Sequence, residues 1–181
     1  NTIYTEKERT MPEFCETERE DRLFIVTINR PDVMNSLHPM ANAELEKAFD
    51  EFAEDPELWV AIITGAGDKA FSAGNDLKFH ASMPAGQRPQ HPNKGFGGIT
   101  ARFDLNKPLI AAVNGVAMGG GFEIALACDI IIASETAVFA LPEPRVGLAA
   151  LAGGVHRLPR MIPLKKAMGM MLTGRRVSAQ E

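Results

Sequence analysis

Two glutamates in apolar text are the residues best suited to chemistry in this chain. Glu123 lies within Phe122-Glu123-Ile124-Ala125-Leu126-Ala127, and Glu143 closes Phe139-Ala140-Leu141-Pro142-Glu143. A carboxylate is costly to bury, so such a placement points to a task for it. Directly ahead of Glu123, Gly119-Gly120-Gly121 predicts a turn that opens a helix. The first N–H groups of a helix have no intrahelical acceptor and can face an oxygen that gains negative charge. A second cradle of this kind is the loop from Gly65 to Lys78, which holds Gly65, Gly67 and Gly74 and a helix start near Asn75 or Asp76. Two acids with an anion cradle point to catalysis. Spacing alone leaves a structural alternative open, with Glu123 as a first-turn acid favoured by the helix dipole and Glu143 as an acid at a proline turn.

The elements that must hold these groups alternate. Arg22 to Asn29 reads as a strand, Met40 to Asp55 as a helix with Ala41, Leu45, Ala48, Phe49 and Phe52 on one face, and Leu58 to Thr64 as an almost wholly apolar strand. Leu109 to Val113 predicts a third strand, followed by the glycine turn, a helix through Cys128, and short strands at Asp129 to Ala133 and Ala137 to Leu141. Strands alternating with helices imply a mainly parallel sheet. Residues 82 to 98, with three prolines and four glycines, predict a mobile surface loop or plain linker. Pro163 to Gly174 predicts a late helix with Leu164, Ala167, Met168, Met171 and Leu172 on its core stripe and Gly174 as its stop. Ser178-Ala179-Gln180-Glu181 matches a capping box and predicts the start of a further helix whose body is absent.

The 181 residues fit one domain, and an apolar content of 45% supports a packed core. A net charge of -4 with scattered basic residues argues against nucleic acid as a partner. Apolar runs such as Leu109 to Val113 fall well short of the roughly 20 residues a membrane span requires. Cys15 and Cys128, far apart in sequence, fit reduced thiols in a cytoplasmic setting. His38, His80 and His91 lack metal-ligand spacing, and no dinucleotide fingerprint follows a strand. His156 with Arg157 reads as a surface or packing pair, and Asp76 and Lys78 are open to being a helix cap and a solvated charge. The chain divides into a polar leader over residues 1–21 and a core domain over 22–181.

From about Leu23 onward the sequence resembles the enoyl-CoA hydratase/isomerase, or crotonase, superfamily and within it the carnitinyl-CoA dehydratase-like branch. The resemblance rests on Asn29-Arg30-Pro31, Ile63-Thr64-Gly65, Ala70-Phe71-Ser72-Ala73-Gly74-Asn75-Asp76-Leu77-Lys78, Lys107-Pro108-Leu109-Ile110-Ala111-Ala112-Val113-Asn114-Gly115, Gly119-Gly120-Gly121-Phe122-Glu123, Cys128-Asp129-Ile130, Phe139-Ala140-Leu141-Pro142-Glu143 and Leu172-Thr173-Gly174-Arg175. It implies an α/β crotonase (ClpP-like) fold of repeated β-β-α units, with two near-perpendicular sheets surrounded by helices. It further implies an acyl-CoA thioester substrate, assembly as a homotrimer or dimer of trimers, and a C-terminal helical segment missing from this chain. Coenzyme A is then part of the substrate, and neither a separate cofactor nor a metal is implied.

Residue by residue, the resemblance maps an oxyanion hole to the backbone N–H groups of Ala73 and Gly120 and the acid/base pair to Glu123 and Glu143. By the same resemblance Ser72, Gly74, Asn75, Asp76, Leu77, Lys78 and Gly119 would line the route of the thioester. Ala149-Ala150-Leu151 stands where relatives often carry Ile-Pro-Gly, beside the acyl chain. The expected reaction is syn addition of water to a 2-enoyl-CoA, or its reverse. Glu143 would be the principal acid/base, and Glu123 would position the water. A double-bond isomerase on the same fold and a non-catalytic acyl-CoA-binding or scaffold homologue are the alternatives.

Overall fold

The computed structural model describes residues 12–84 and 92–181. One sheet is built from β1 (Cys15–Glu20), β2 (Leu23–Ile28), β3 (Val60–Gly65), β5 (Leu109–Val113) and β7 (Ile130–Ala133), in the order β1-β2-β3-β5-β7. The second sheet runs β4-β6-β8-β9, from β4 (Ala70–Ser72), β6 (Val116–Met118), β8 (Val138–Ala140) and β9 (Val177–Ser178). The described residues also form α-helices α1 (Pro39–Glu54), α2 (Leu77–Ser82), α3 (Gly120–Ala127), α4 (Gly154–Met161) and α5 (Leu164–Thr173). The β-β-α repeat is visible in β3-β4-α2 and β5-β6-α3, each unit giving its first strand to one sheet and its second to the other. Among the described strands, β1 pairs with β2 and β8 with β9 antiparallel, and the other neighbours pair parallel.

The α1 stripe read from the sequence is buried as expected, against β2. Phe24 and Phe52 stack with ring centroids 6.0 Å apart. His38 caps this helix, its Nδ1 accepting the Ala41 N–H at 3.0 Å, and Pro39 takes the first helical position, where a missing N–H costs nothing. Along β2, Phe24, Val26 and Ile28 are fully buried while the alternate residues are half-buried, the period of two that a pleated strand imposes.

Five expectations need correction. Cys15–Glu20, read as polar leader, is an edge strand whose residues after Cys15 all face solvent, so polar side chains there are no obstacle to pairing with β2. Trp59 does not enter the buried strand: it is 57% exposed, with the Arg22 guanidinium 4.0 Å over its ring. Of the expected 82–98 loop, residues 85–91 lie outside the described residues, but Phe96, Gly97 and Gly98 are buried rather than superficial. The Gly97 N–H donates to Asn42 Oδ1 at 2.7 Å, which ties this segment to α1. On α5, Ala167 and Met170 face the interior, whereas Leu164, Met168 and Leu172 are exposed. Lastly, Val177 and Ser178 pair with β8, and the Glu181 carboxylate binds Arg175 instead of returning to the Ser178 N–H as a full capping box requires.

Candidate active site

The second sheet positions the site. Because β4, β6 and β8 run parallel, their C-terminal ends lie together, and each is followed by one of the segments singled out from the sequence. β4 leads into Ala73–Asp76, β6 into the glycine turn, and β8 through Leu141 and Pro142 into Glu143. Loops beyond the carboxyl ends of parallel strands are where sites form in α/β proteins generally.

Gly119, with φ 53°, turns the chain from β6 into α3, and its own N–H donates to Ala140 O at 3.0 Å. A Cβ at Gly119 would stand 3.0 Å from Glu143 Oε1, so the carboxylate rests against bare backbone. At Gly120 the tight neighbour is the Phe96 ring, with an atom 2.5 Å from where a Cβ would be. Glycine is required at 120 by this ring, a reason invisible in the local sequence. As the first residue of α3, Gly120 keeps its N–H free of any intrahelical acceptor.

The opposite wall of the cradle differs from the expectation. Ala73 cannot serve as the second donor, because its N–H is held by Met34 O at 2.9 Å. The Gly74 N–H is held in turn by Ser72 Oγ at 3.1 Å. The next amide, that of Asn75, has no acceptor among the described residues. Gly74, with φ +86°, runs so close to α3 that a Cβ there would sit 2.9 Å from the Gly120 nitrogen, which sets Asn75 alongside the helix start. Ser72 Oγ also donates to Asn35 O at 2.8 Å, so the hydroxyl shapes the loop. The Asp76 carboxylate caps α2 through the Phe79 N–H at 3.1 Å and pairs with Arg30 at 3.0 Å. Burial pushes its pKa upward, but these two contacts hold it below the usual carboxylate range. Leu77 and Lys78 are exposed on the outer face of α2.

Glu123, in the first turn of α3, is 4% exposed. Its Oε1 accepts the Gly154 N–H at 2.9 Å, a partner that sequence reasoning missed although Gly153-Gly154 ahead of a helix is the same signal used at Gly119–Gly121. Burial pushes the Glu123 pKa up to about 7, and the charge of Glu143 adds to the rise. Glu143 opens a 3-10 turn through Val146, and burial raises its pKa too. Its Oε2 is buried with no hydrogen-bond partner among the described residues. The two acids thus share one side of the site, and the Glu143 charge adds to the burial that favours a protonated Glu123. Beyond Glu143 a pocket of about 310 Å³ is lined by Leu141, Leu148, Ala150, Val155, Met168 and Leu172 among others. Ala149 and Ala150 belong to this wall, and Leu151 turns outward, 78% exposed.

No group of three metal-ligating side chains occurs among the described residues. No described helix is long and apolar enough to cross a membrane. Cys15 and Cys128 are free and buried, and burial pushes both thiols up to about 12, which leaves them unreactive.

A buried and a half-buried glutamate beside helix-start amides, on two sheets wrapped by helices, define a class that the comparisons with known proteins identify. Residues 18–181 match the family model described as enoyl-CoA hydratase/isomerase, and the chain belongs to that family. A carnitinyl-CoA dehydratase of Salmonella heidelberg (strain SL476) is 47% identical over 171 residues, which are 94% of this chain and 65% of that relative. Among solved structures, a carnitinyl-CoA hydratase from Mycobacterium avium matches with a TM-score of 0.86 at 43% identity, covering 94% of this chain and 65% of its own. An enoyl-CoA hydratase from Mycobacterium tuberculosis H37Rv matches with a TM-score of 0.84 at 40% identity and the same coverage. The chain thus spans about 65% of the length of these relatives.

Proposed function

We propose that this chain carries the catalytic core of a hydro-lyase that adds water to the double bond of a 2-enoyl-CoA, or removes it from a 3-hydroxyacyl-CoA. The observation that carries the reading is the buried Glu123 and the half-buried Glu143, whose Oε1 rests against Gly119, next to the open amides at the start of α3. A conjugated thioester accepts water at its β-carbon only if the charge moving onto the carbonyl oxygen is stabilised. The Gly120 and Asn75 N–H groups are suited to that oxygen, and fixed donors of this kind need no reorganisation when charge develops. Glu143, with an unpaired buried oxygen, is suited to take the proton of the attacking water and return it to the α-carbon. Glu123, tethered to the Gly154 N–H, is suited to orient that water. The pocket beyond Glu143 is suited to an apolar acyl chain.

Coenzyme A enters as part of the substrate, so no separate cofactor is called for. The loop from Ser72 to Lys78 and the turn at Gly119 flank its route, with Lys78 free to meet a phosphate. Self-association as a trimer or dimer of trimers is supported by exposed Ile130, Ile132, Leu151, Leu164 and Leu172. The test is loss of the conjugated thioester absorbance with crotonyl-CoA, longer 2-enoyl-CoAs and crotonobetainyl-CoA. Turnover of any of them supports the reading, and turnover of 3-enoyl-CoA alone would replace it with double-bond isomerisation. Binding without turnover of any would leave a non-catalytic homologue.

A further inference from the structure

Arg157, on the first turn of α4, is half-buried, and its guanidinium is turned back onto the chain. Its Nη2 donates to Thr100 O at 2.9 Å and its Nη1 reaches Ala152 O at 3.4 Å. The guanidinium lies directly over Gly153, where φ is +126° and any Cβ would collide with Nη1. The turn it covers is the one whose Gly154 N–H donates to Glu123 Oε1 at 2.9 Å. Thr100 is itself buried and follows the Phe96–Gly98 segment, whose Phe96 ring walls Gly120. One side chain therefore ties together the turn that holds Glu123 and the segment that shapes the anion cradle.

We propose that Arg157 is a positioning residue for Glu123, clamping the Ala152–Gly154 turn against Thr100 so that the carboxylate is held in one orientation. A planar guanidinium suits this task because it binds two carbonyls at a fixed spacing, which an ammonium does not. Its charge contributes as well. The charged groups that face Glu123 are Glu143, from the turn after β8, and Arg157, from α4. Glu143 and burial favour the protonated form, whereas Arg157 and the Gly154 and Ala152 amides favour the ionised one. In the other direction, burial lowers the pKa of Arg157 and the Glu123 charge raises it. Arg157 is thus the cation that opposes burial at this carboxylate.

The kinetic arm of the test rests on the hydratase reading, and the titration arm does not. In protein labelled with ¹³C at glutamate carboxyls, with Glu123 assigned by E123Q, R157Q should move the Glu123 midpoint upward by about one pH unit. R157K should leave that midpoint within about 0.3 unit of wild type, since the charge remains, while kcat for 2-enoyl-CoA hydration falls about 10-fold for want of the fork. The acid limb of the R157Q pH–rate profile should move with the midpoint, and kcat should fall more than KM rises. An unmoved midpoint in folded R157Q, or full kcat in R157K, would overturn the proposal. If R157Q fails to fold, the two R157K readings decide it. If wild type hydrates no 2-enoyl-CoA, the hydratase reading fails, and the titration still decides the role of Arg157.

Discussion

The Glu123 carboxylate sits 4% exposed, held by the Gly154 N–H and opposed by the neighbouring Glu143. Between the ordinary carboxylate range and about pH 7 the folded chain keeps a proton that the unfolded chain has released, so stability falls as pH rises through that window. Above it both states are ionised, and the cost of burying the charge stands in full, about 3 kcal/mol at roughly 1.4 kcal/mol for each pH unit. Glu123→Gln keeps an acceptor for the Gly154 N–H and removes the charge. Its melting temperature should therefore exceed that of wild type at pH 8 and match it near pH 4, as thermal denaturation followed by circular dichroism will register, while hydration is impaired. Equal melting at both pH values would mean that burial at this position carries no electrostatic cost. Glu143→Gln should lower kcat by about 10²–10⁴ and leave thioester affinity nearly unchanged, because shape survives and proton transfer does not. Single-turnover kinetics beside equilibrium titration with a product acyl-CoA separate the two effects.

At the level of elements, the site depends on two backbones passing with no side chain between them. Gly74 approaches Met118 O and Gly120 N, where a Cβ would stand at 2.6 and 2.9 Å, and its φ of +86° lies in the region L side chains avoid. Gly74→Ala should push the Asn75 amide away from α3 and cost about 10²–10³ in kcat, the usual loss when one donor to a developing oxyanion is removed. Far-ultraviolet circular dichroism should stay close to wild type, since the clash falls on Met118 and the first residues of α3 and leaves the remainder of both elements in place. Unchanged kcat would remove Asn75 from the oxyanion hole. The pH–rate profile of the wild type should carry an acid limb near pH 7, falling as pH drops, because Glu123 takes up its proton there. A limb in the ordinary carboxylate range would mean that Glu123 does not titrate in the reaction.

At the level of the molecule, the α4–α5 side leaves large apolar groups uncovered. Leu151 is 78% and Leu172 68% exposed, and Ile131 and Met161 border a groove of about 270 Å³ that reaches inward to Phe122 and Leu126. Exposed apolar side chains clustered in this way are the kind of surface through which we expect the chain to self-associate. Sedimentation velocity should show species larger than one chain, and Leu151→Glu with Leu172→Glu should shift them toward the monomer while the melting transition persists. A wild-type monomer at micromolar concentration would disprove self-association through this face.

The sequence alone determined the units and their local chemistry. The α1 stripe, the β2 strand, the glycine turn ahead of Glu123, the Asp76 cap and the Gly174 stop all follow from rules that act over a few residues, and each is present. It also marked Glu123 and Glu143, because acids in apolar text are rare wherever they fall in the chain. What it could not decide were relations between segments distant in sequence. The Ala73 N–H looked available until Met34 O, brought in by the Asn35 turn, was seen to hold it; the free donor is two residues on. Gly120 owes its identity to the Phe96 ring, Glu123 its tether to Gly154, and that tether its brace to Arg157 reaching Thr100. The exposed side of α5 has the same origin: amphipathic spacing says that a face must be covered, whereas which face meets this chain's own core depends on where β8 and α4 come to rest.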